Sequence, residues 1–131
     1  METMNEGEVA AGLAQTPNYR YADQVGRRLF VAGQVPRDGA ANLVAPGDPV
    51  AQTRQCFDNL FTLIELHGFS RDDIHQLTVY VVGPHSNLID AWGAVTACFG
   101  SNVPPATLLG VTFLGYVDQV VEIDAVIERA V

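Results

Sequence analysis

At 131 residues the chain has the length of one domain, so one site per chain is expected, and its 48% hydrophobic content is rich for that size, which predicts apolar surface covered by another subunit. All seven basic residues are arginines against fifteen carboxylates, a net charge of −8, which is the wrong sign for nucleic acid; with no lysine, a Schiff-base lysine or a Walker-type phosphate lysine is excluded. No apolar run approaches the roughly 20 residues that span a bilayer, and the acidic start lacks the basic residues of a signal peptide, so a cytoplasmic protein with no membrane contact is expected.

Residues 1–17, ending at Thr16-Pro17, carry acids and little periodicity and read as a flexible N-terminal arm; residues 18–131 read as a single domain. Tyr19 to Val25 and Leu29 to Gly33 flank a polar Gly26-Arg27-Arg28 turn and predict a hairpin. Pro36 to Gly47 is loop-rich, with a short strand expected at Asn42 to Ala45. Asp48-Pro49 is an N-cap followed by proline at the first helical position, and Val50, Phe57, Leu60, Phe61 and Ile64 then recur at helical spacing until Gly68. His75, Leu77, Val79 and Val81 alternate with polar or aromatic residues up to Gly83-Pro84, a strand. Ser86 is expected to cap a second helix whose stripe is Leu88, Trp92, Val95 and Phe99, closed by Gly100. Thr107 to Phe113 and Gln119 to Ala130 are strand-like, the latter with Val121, Ile123, Ala125 and Ile127 on one face and Val120, Glu122, Asp124 and Val126 on the other.

This order, β-β-(β)-α-β-α-β-β, holds two strand-helix-strand crossovers and a hairpin at either end. It predicts an α+β fold with a mixed sheet and both helices packed on one face. The second face then needs a cover, which neighbouring subunits would supply. Cys56 and Cys98 fall inside apolar helical patterns and are expected as buried free thiols. His67, His75 and His85 fall on a helix end, a strand start and a loop, so no metal is expected, and no cofactor.

Four stretches carry a resemblance. Tyr21-Ala22-Asp23-Gln24-Val25 is similar to an opening Tyr-Ser-x-Ala-Val strand, and Phe30-Val31-Ala32-Gly33-Gln34-Val35-Pro36 to a strand ending in Ser-Gly-Gln-x-Pro. Gln52-Thr53 through Asn59-Leu60, followed by Gly68-Phe69-Ser70, resembles a Gln-Thr…Asn-Leu helix with its Gly-x-Ser exit. Pro105-Ala106 and Val121-Glu122-Ile123-Asp124-Ala125 stand where the pattern has Pro-Ala-Arg and Val-Glu-Ile-Glu-Ala. In order and spacing these resemble the reactive-intermediate deaminase (Rid, or YjgF) family over residues 18–129. The resemblance implies a chorismate-mutase-like α+β fold and a homotrimer with clefts between adjacent subunits. In deaminating members such a cleft binds an enamine or imine bearing a carboxylate, and water releases ammonia and a 2-oxo acid.

Imine hydrolysis needs a positioned water, a proton shuttle and an anchor. Glu122 is the expected shuttle, since a partly buried carboxyl has a raised pKa; its structural alternative is a carboxylate in the subunit contact. Tyr21 resembles the tyrosine that lines the family's cleft, with strand packing as its alternative. Gly33 permits close approach of backbone to a ligand, with a strand-end turn as its alternative. Trp92 stands roughly where deaminating members carry an asparagine on the second helix, or else packs in the core. Thr107 takes the place of the arginine that holds the substrate carboxylate, and one hydroxyl in place of a guanidinium removes about 2–4 kcal/mol of that recognition. Arg20 is a poor replacement, because strand alternation points it away from Tyr21. The family has also been described with ribonuclease activity, against which the acidic balance argues. A chorismate-mutase reaction needs a cationic cluster that the sequence lacks. The reading is a small-molecule enzyme acting, in an intersubunit cleft, on an imine, enamine or similar labile intermediate that lacks a dominant carboxylate anchor, or else a non-catalytic trimer that binds a metabolite or partner protein.

Overall fold

Periodicity sorts the chain into two long helices and five short strands. In the computed structural model, which describes residues 4–130, the order is α1 (Glu6–Ala10), β1 (Ala22–Val25), β2 (Arg28–Val31), α2 (Pro49–Leu66), β3 (Ile74–Val82), α3 (His85–Phe99), β4 (Ala106–Val111) and β5 (Val121–Glu128), with a 3-10 turn at Arg71–Asp73. The sheet order is β1-β2-β5-β3-β4; β3 and β4 are parallel and every other pair is antiparallel. Two expectations differ. The segment Asn42 to Ala45 contributes only an isolated bridge, Arg37 to Leu43. The last two strands form no hairpin: β4 lies parallel to β3 at the edge, and β5 enters the gap between β2 and β3 that the α2 crossover leaves open.

Asp48 caps α2 by accepting from the Val50 and Ala51 N–H groups at 3.0 and 3.1 Å, with Pro49 at the first position. The helix α3 begins two residues earlier than expected, with Pro84 rather than Ser86 at the N-cap and no capping side chain. The phase of β3 and β5 then decides what meets the helices. Leu77, Val79 and Val81 of β3 and Val121, Ile123 and Ile127 of β5 pack on Cys56, Phe57, Leu60 and Ile64 of α2 and on Ala91 and Val95 of α3. Phe57, Phe61 and Phe99 join the helices, Phe57 meeting Phe99 edge-on at 5.2 Å between centroids. Alternate residues of the sheet face the other way, and on that face Leu109 of β4, Phe30 of β2 and Val25 of β1 are 42%, 51% and 59% exposed. No described helix is long and apolar enough to cross a membrane.

Residues 1–3 of the expected arm and residue 131 of the expected domain lie outside the described residues. The remainder of the arm carries α1 and packs: Leu13 and Ala14 are buried, and Asn5, with φ 63°, donates through Nδ2 to Gln15 Oε1, Thr16 Oγ1 and the Tyr19 carbonyl. Periodicity could not reveal this because the segment is held by side chains reaching for backbone rather than by an apolar stripe. Glu8 meets His67 at 2.7 Å across the end of α2.

Candidate functional site

Strand register sets the chemistry of the uncovered sheet face. Glu122 on β5 lies opposite Tyr80 of β3, which is opposite Leu109 of β4; one step along, Asp124, Thr78 and Thr107 form the next row. Glu122 is half-buried, and burial is the chief cause pushing its carboxyl pKa up, with Asp124 adding and a hydrogen bond from Gln119 opposing. Gln119 Nε2 donates to Glu122 Oε1 at 3.2 Å and to the Val121 carbonyl at 3.0 Å, while its Oε1 accepts the Tyr116 N–H at 3.2 Å. Gln119 is itself 2% exposed, so this carboxylate oxygen is held by a fixed amide.

The second carboxylate oxygen lies over Gly33. A Cβ built there would overlap Glu122 Oε2 and stand 3.1 Å from Cδ, so only glycine lets this carboxylate sit against the backbone. The Gln34 to Ile123 bridge, closed by Gln34 N–H to Ile123 O at 2.6 Å, fixes that approach. Below it, the Cys56 thiol is fully buried and its Sγ donates to the Gln34 carbonyl at 3.2 Å; burial pushes its pKa up and keeps it protonated. Beside Glu122, Tyr80 donates to Asp124 Oδ2 at 2.9 Å, and that bond is the first cause of its raised pKa.

Of the residues expected from sequence, Glu122 and Gly33 are brought together. Thr107 is exposed on the same face, two strands away and two residues along, which is about 12 Å from Glu122 within one chain. Tyr21 and Trp92 are placed elsewhere. Tyr21 is buried with Leu13 and Leu63, and its hydroxyl donates to the Ala14 carbonyl at 2.7 Å; burial pushes its pKa up to about 12. Trp92 sits on α3, on the helix side of the sheet, packed against the main core. Within the single chain both make packing contacts.

Besides Tyr80, Tyr19 feels the Glu122 charge. Its pKa is raised by burial first, then by Tyr116 and Glu122, while Arg37 lowers it. Arg37 lies over the Tyr116 ring, its Cζ 5.1 Å from the centroid, and donates through Nη2 to the Gln15 carbonyl at 2.7 Å. Tyr19, Arg37, Tyr116 and Gln119 therefore join Glu122 and Gly33 in one neighbourhood. Alternation could not separate Tyr19 from Tyr21, which share a phase. The distinction arises from a bend: Asn18 has φ 64°, and β1 begins only at Ala22. The one local cue for Gln119 is its place three residues before Glu122.

Comparison with known proteins agrees with this architecture. A family model described as Endoribonuclease L-PSP matches residues 10–129. A RutC family protein of Sulfurisphaera tokodaii is 34% identical over 88 residues, 67% of this chain and 69% of that protein. Another, from Pyrococcus horikoshii, is 38% identical over 63 residues, a match spanning 50% of its length. Among solved structures, the YjgF gene product of E. coli is 25% identical with a TM-score of 0.80, covering 99% of this chain and 100% of its own. A Thermotoga maritima structure is 27% identical with a TM-score of 0.81, covering 99% of both chains. YyfA of Yersinia pestis, described as a conserved Rid family protein, shares the fold at 21% identity and a TM-score of 0.82, over 97% of this chain and 98% of that one.

Proposed function

The chain belongs to the Endoribonuclease L-PSP family, the Rid or YjgF proteins, and from that membership we propose that it hydrolyses a small imine or enamine in a cleft between subunits of a homotrimer. One observation carries the reading: a half-buried carboxyl, Glu122, held by Gln119 through one oxygen and laid against Gly33 with the other. A raised carboxyl pKa suits an acid and base in turn. Glu122 takes a proton from water as the oxygen adds to the C=N carbon. That proton passes to nitrogen to give an amino alcohol; Glu122 then takes the hydroxyl proton and delivers it to nitrogen as the C–N bond breaks, so that ammonia leaves with a carbonyl product; an enamine enters this sequence after tautomerising to the imine. Tyr19, 40% exposed, carries a neutral hydroxyl that feels the charge of the carboxyl.

Two features support a site built from more than one copy. The separation of about 12 Å between Thr107 and Glu122 is too long for one small ligand to bridge within a chain. The apolar residues left uncovered on the same face are those a second copy would bury. Thr107, standing in the arginine's place, favours a second reading, a trimer that binds a metabolite or partner protein without turning anything over.

Glu122→Gln separates the two readings. In a coupled assay that generates 2-aminoacrylate or an aliphatic imine and follows ammonia, the enzyme reading expects turnover to fall at least 100-fold while the trimer persists by light scattering. Unchanged turnover, or none in the parent protein, would leave the binding protein.

A further inference from the structure

We propose that Asn5 is a positioning residue for the Glu122 site: it locks residues 4–17 into a strap whose far end holds Arg37, and Arg37 in turn steadies the loop that carries Tyr116 and Gln119. The inference rests on the preceding reading of Glu122 only where turnover is concerned.

Asn5 ties the strap together. It is 9% exposed, and its Nδ2 lies 3.0, 2.9 and 3.0 Å from Gln15 Oε1, Thr16 Oγ1 and the Tyr19 carbonyl, while its Oδ1 accepts the Tyr21 N–H at 2.9 Å. A primary amide suits this place, because it donates at one end and accepts at the other. Gln15 Nε2 returns to the Met4 carbonyl at 2.8 Å, Glu8 meets His67 at the end of α2, and Leu13 is buried with Leu63 and Tyr21. Asn5 and Glu8 both precede residue 10, where the match to the family model begins, so this lock lies outside the matched residues.

Two contacts carry the strap to the site. Arg37 Nη2 donates to the Gln15 carbonyl at 2.7 Å, and the same guanidinium lies over Tyr116, its Cζ 5.1 Å from the ring centroid. Gly39 approaches the strap so closely that a Cβ there would stand 2.6 Å from the Gly12 carbonyl oxygen, a backbone contact that only glycine permits. Tyr116 and Gln119 hold each other: Gln119 Oε1 accepts the Tyr116 N–H at 3.2 Å, and the Gln119 N–H donates to the Tyr116 carbonyl at 3.1 Å. Gln119 Nε2 then holds Glu122. This loop has little apolar anchoring of its own, since Phe113 and Val117 on either side of Tyr116 are 79% and 89% exposed. A segment with few buried apolar contacts opens locally at low cost. An arginine clamped from behind by the strap therefore governs how firmly Gln119 keeps Glu122 in place.

Hydrogen exchange followed by NMR on the full-length protein tests this coupling without any substrate. In Asn5→Ala the Tyr116 and Gln119 amides, and not only Tyr21, are expected to lose protection at least about tenfold, while those of β3 keep theirs. Gly39→Ala, which wedges the strap from the loop side, and Arg37→Met, which leaves the Asn5 contacts intact, are expected to loosen Tyr116 and Gln119 as well. In the Arg37→Met background Asn5→Ala is expected to add nothing further at those two amides. In the ammonia assay Asn5→Ala is expected to lower kcat at least about fivefold with KM nearly unchanged, the mark of a misplaced shuttle rather than a lost binding contact. Full protection at Tyr116 and Gln119 in Asn5→Ala and Arg37→Met overturns the proposal, and so does loosening that leaves kcat unchanged in a protein whose turnover needs Glu122. If Glu122→Gln retains full turnover while the exchange coupling is seen, the reading of Glu122 fails and the strap's hold on the loop stands.

Discussion

Gly33 and Glu122 illustrate how little room separates a functional residue from its neighbour. Gly33 has no left-handed backbone, so Gly33→Ala introduces no strain of its own, but its methyl group occupies the space of Glu122 Oε2. Turnover is expected to fall at least tenfold with the thermal midpoint nearly unchanged, compared by the ammonia assay and circular dichroism. Glu122 itself also couples folding to pH. Because its folded pKa is raised, the native state holds more protons than the unfolded chain between the ordinary value of 4.5 and the raised one, and stability falls as pH rises through that window. Glu122→Gln removes the ionisation, so its urea midpoint is expected to exceed the parent's at pH 7 and the gain to shrink toward pH 4. At this scale the sequence offered Glu122 and Gly33 through the family resemblance, with a structural carboxylate and a strand-end turn as their alternatives. It could not separate Tyr19 from Tyr21, since the bend after Asn18 and the bond from Tyr21 to Ala14 involve parts of the chain with no pattern in common.

Among the elements, α2 does more than bury a stripe. Gln52, fully buried, donates to the Ala45 and Asp118 carbonyls at 3.2 and 3.1 Å and accepts from the Val120 and Val121 N–H groups at 2.7 and 3.2 Å. It ties the start of β5, and with it Gln119 and Glu122, to the helix. Gln52→Ala orphans these groups in the core and is expected to cost about 3 kcal/mol by urea unfolding. The helix and its cap were legible from Asp48-Pro49 and the apolar spacing, and the polar Gln52 marks the Gln-Thr pair of the family resemblance. The slot that β5 occupies was not legible. An alternating strand fits beside any complementary edge, and β5 takes the gap that α2 had left between β2 and β3.

For the molecule as a whole, the face that carries Glu122 is also the one that exposes Leu109, opposite Tyr80. If that face is covered by other copies, light scattering should give three times 14.1 kDa for the parent, and Leu109→Asp should reduce it toward a single chain, with turnover lost in step. A monomeric parent would remove the intersubunit cleft. Composition and periodicity by themselves determined the fold class, the helices on one face and the excess of apolar surface, because each follows from local spacing or from totals that folding does not alter; the carboxylate at Glu122 was singled out by the family resemblance. The tertiary structure decided which residues surround that carboxylate. Gly33, Arg37, Tyr116 and Gln119 come from separate loops and strand ends, and their meeting depends on a strand inserted last into the sheet and on an N-terminal segment bound by side chains. Neither leaves a periodic trace in the chain.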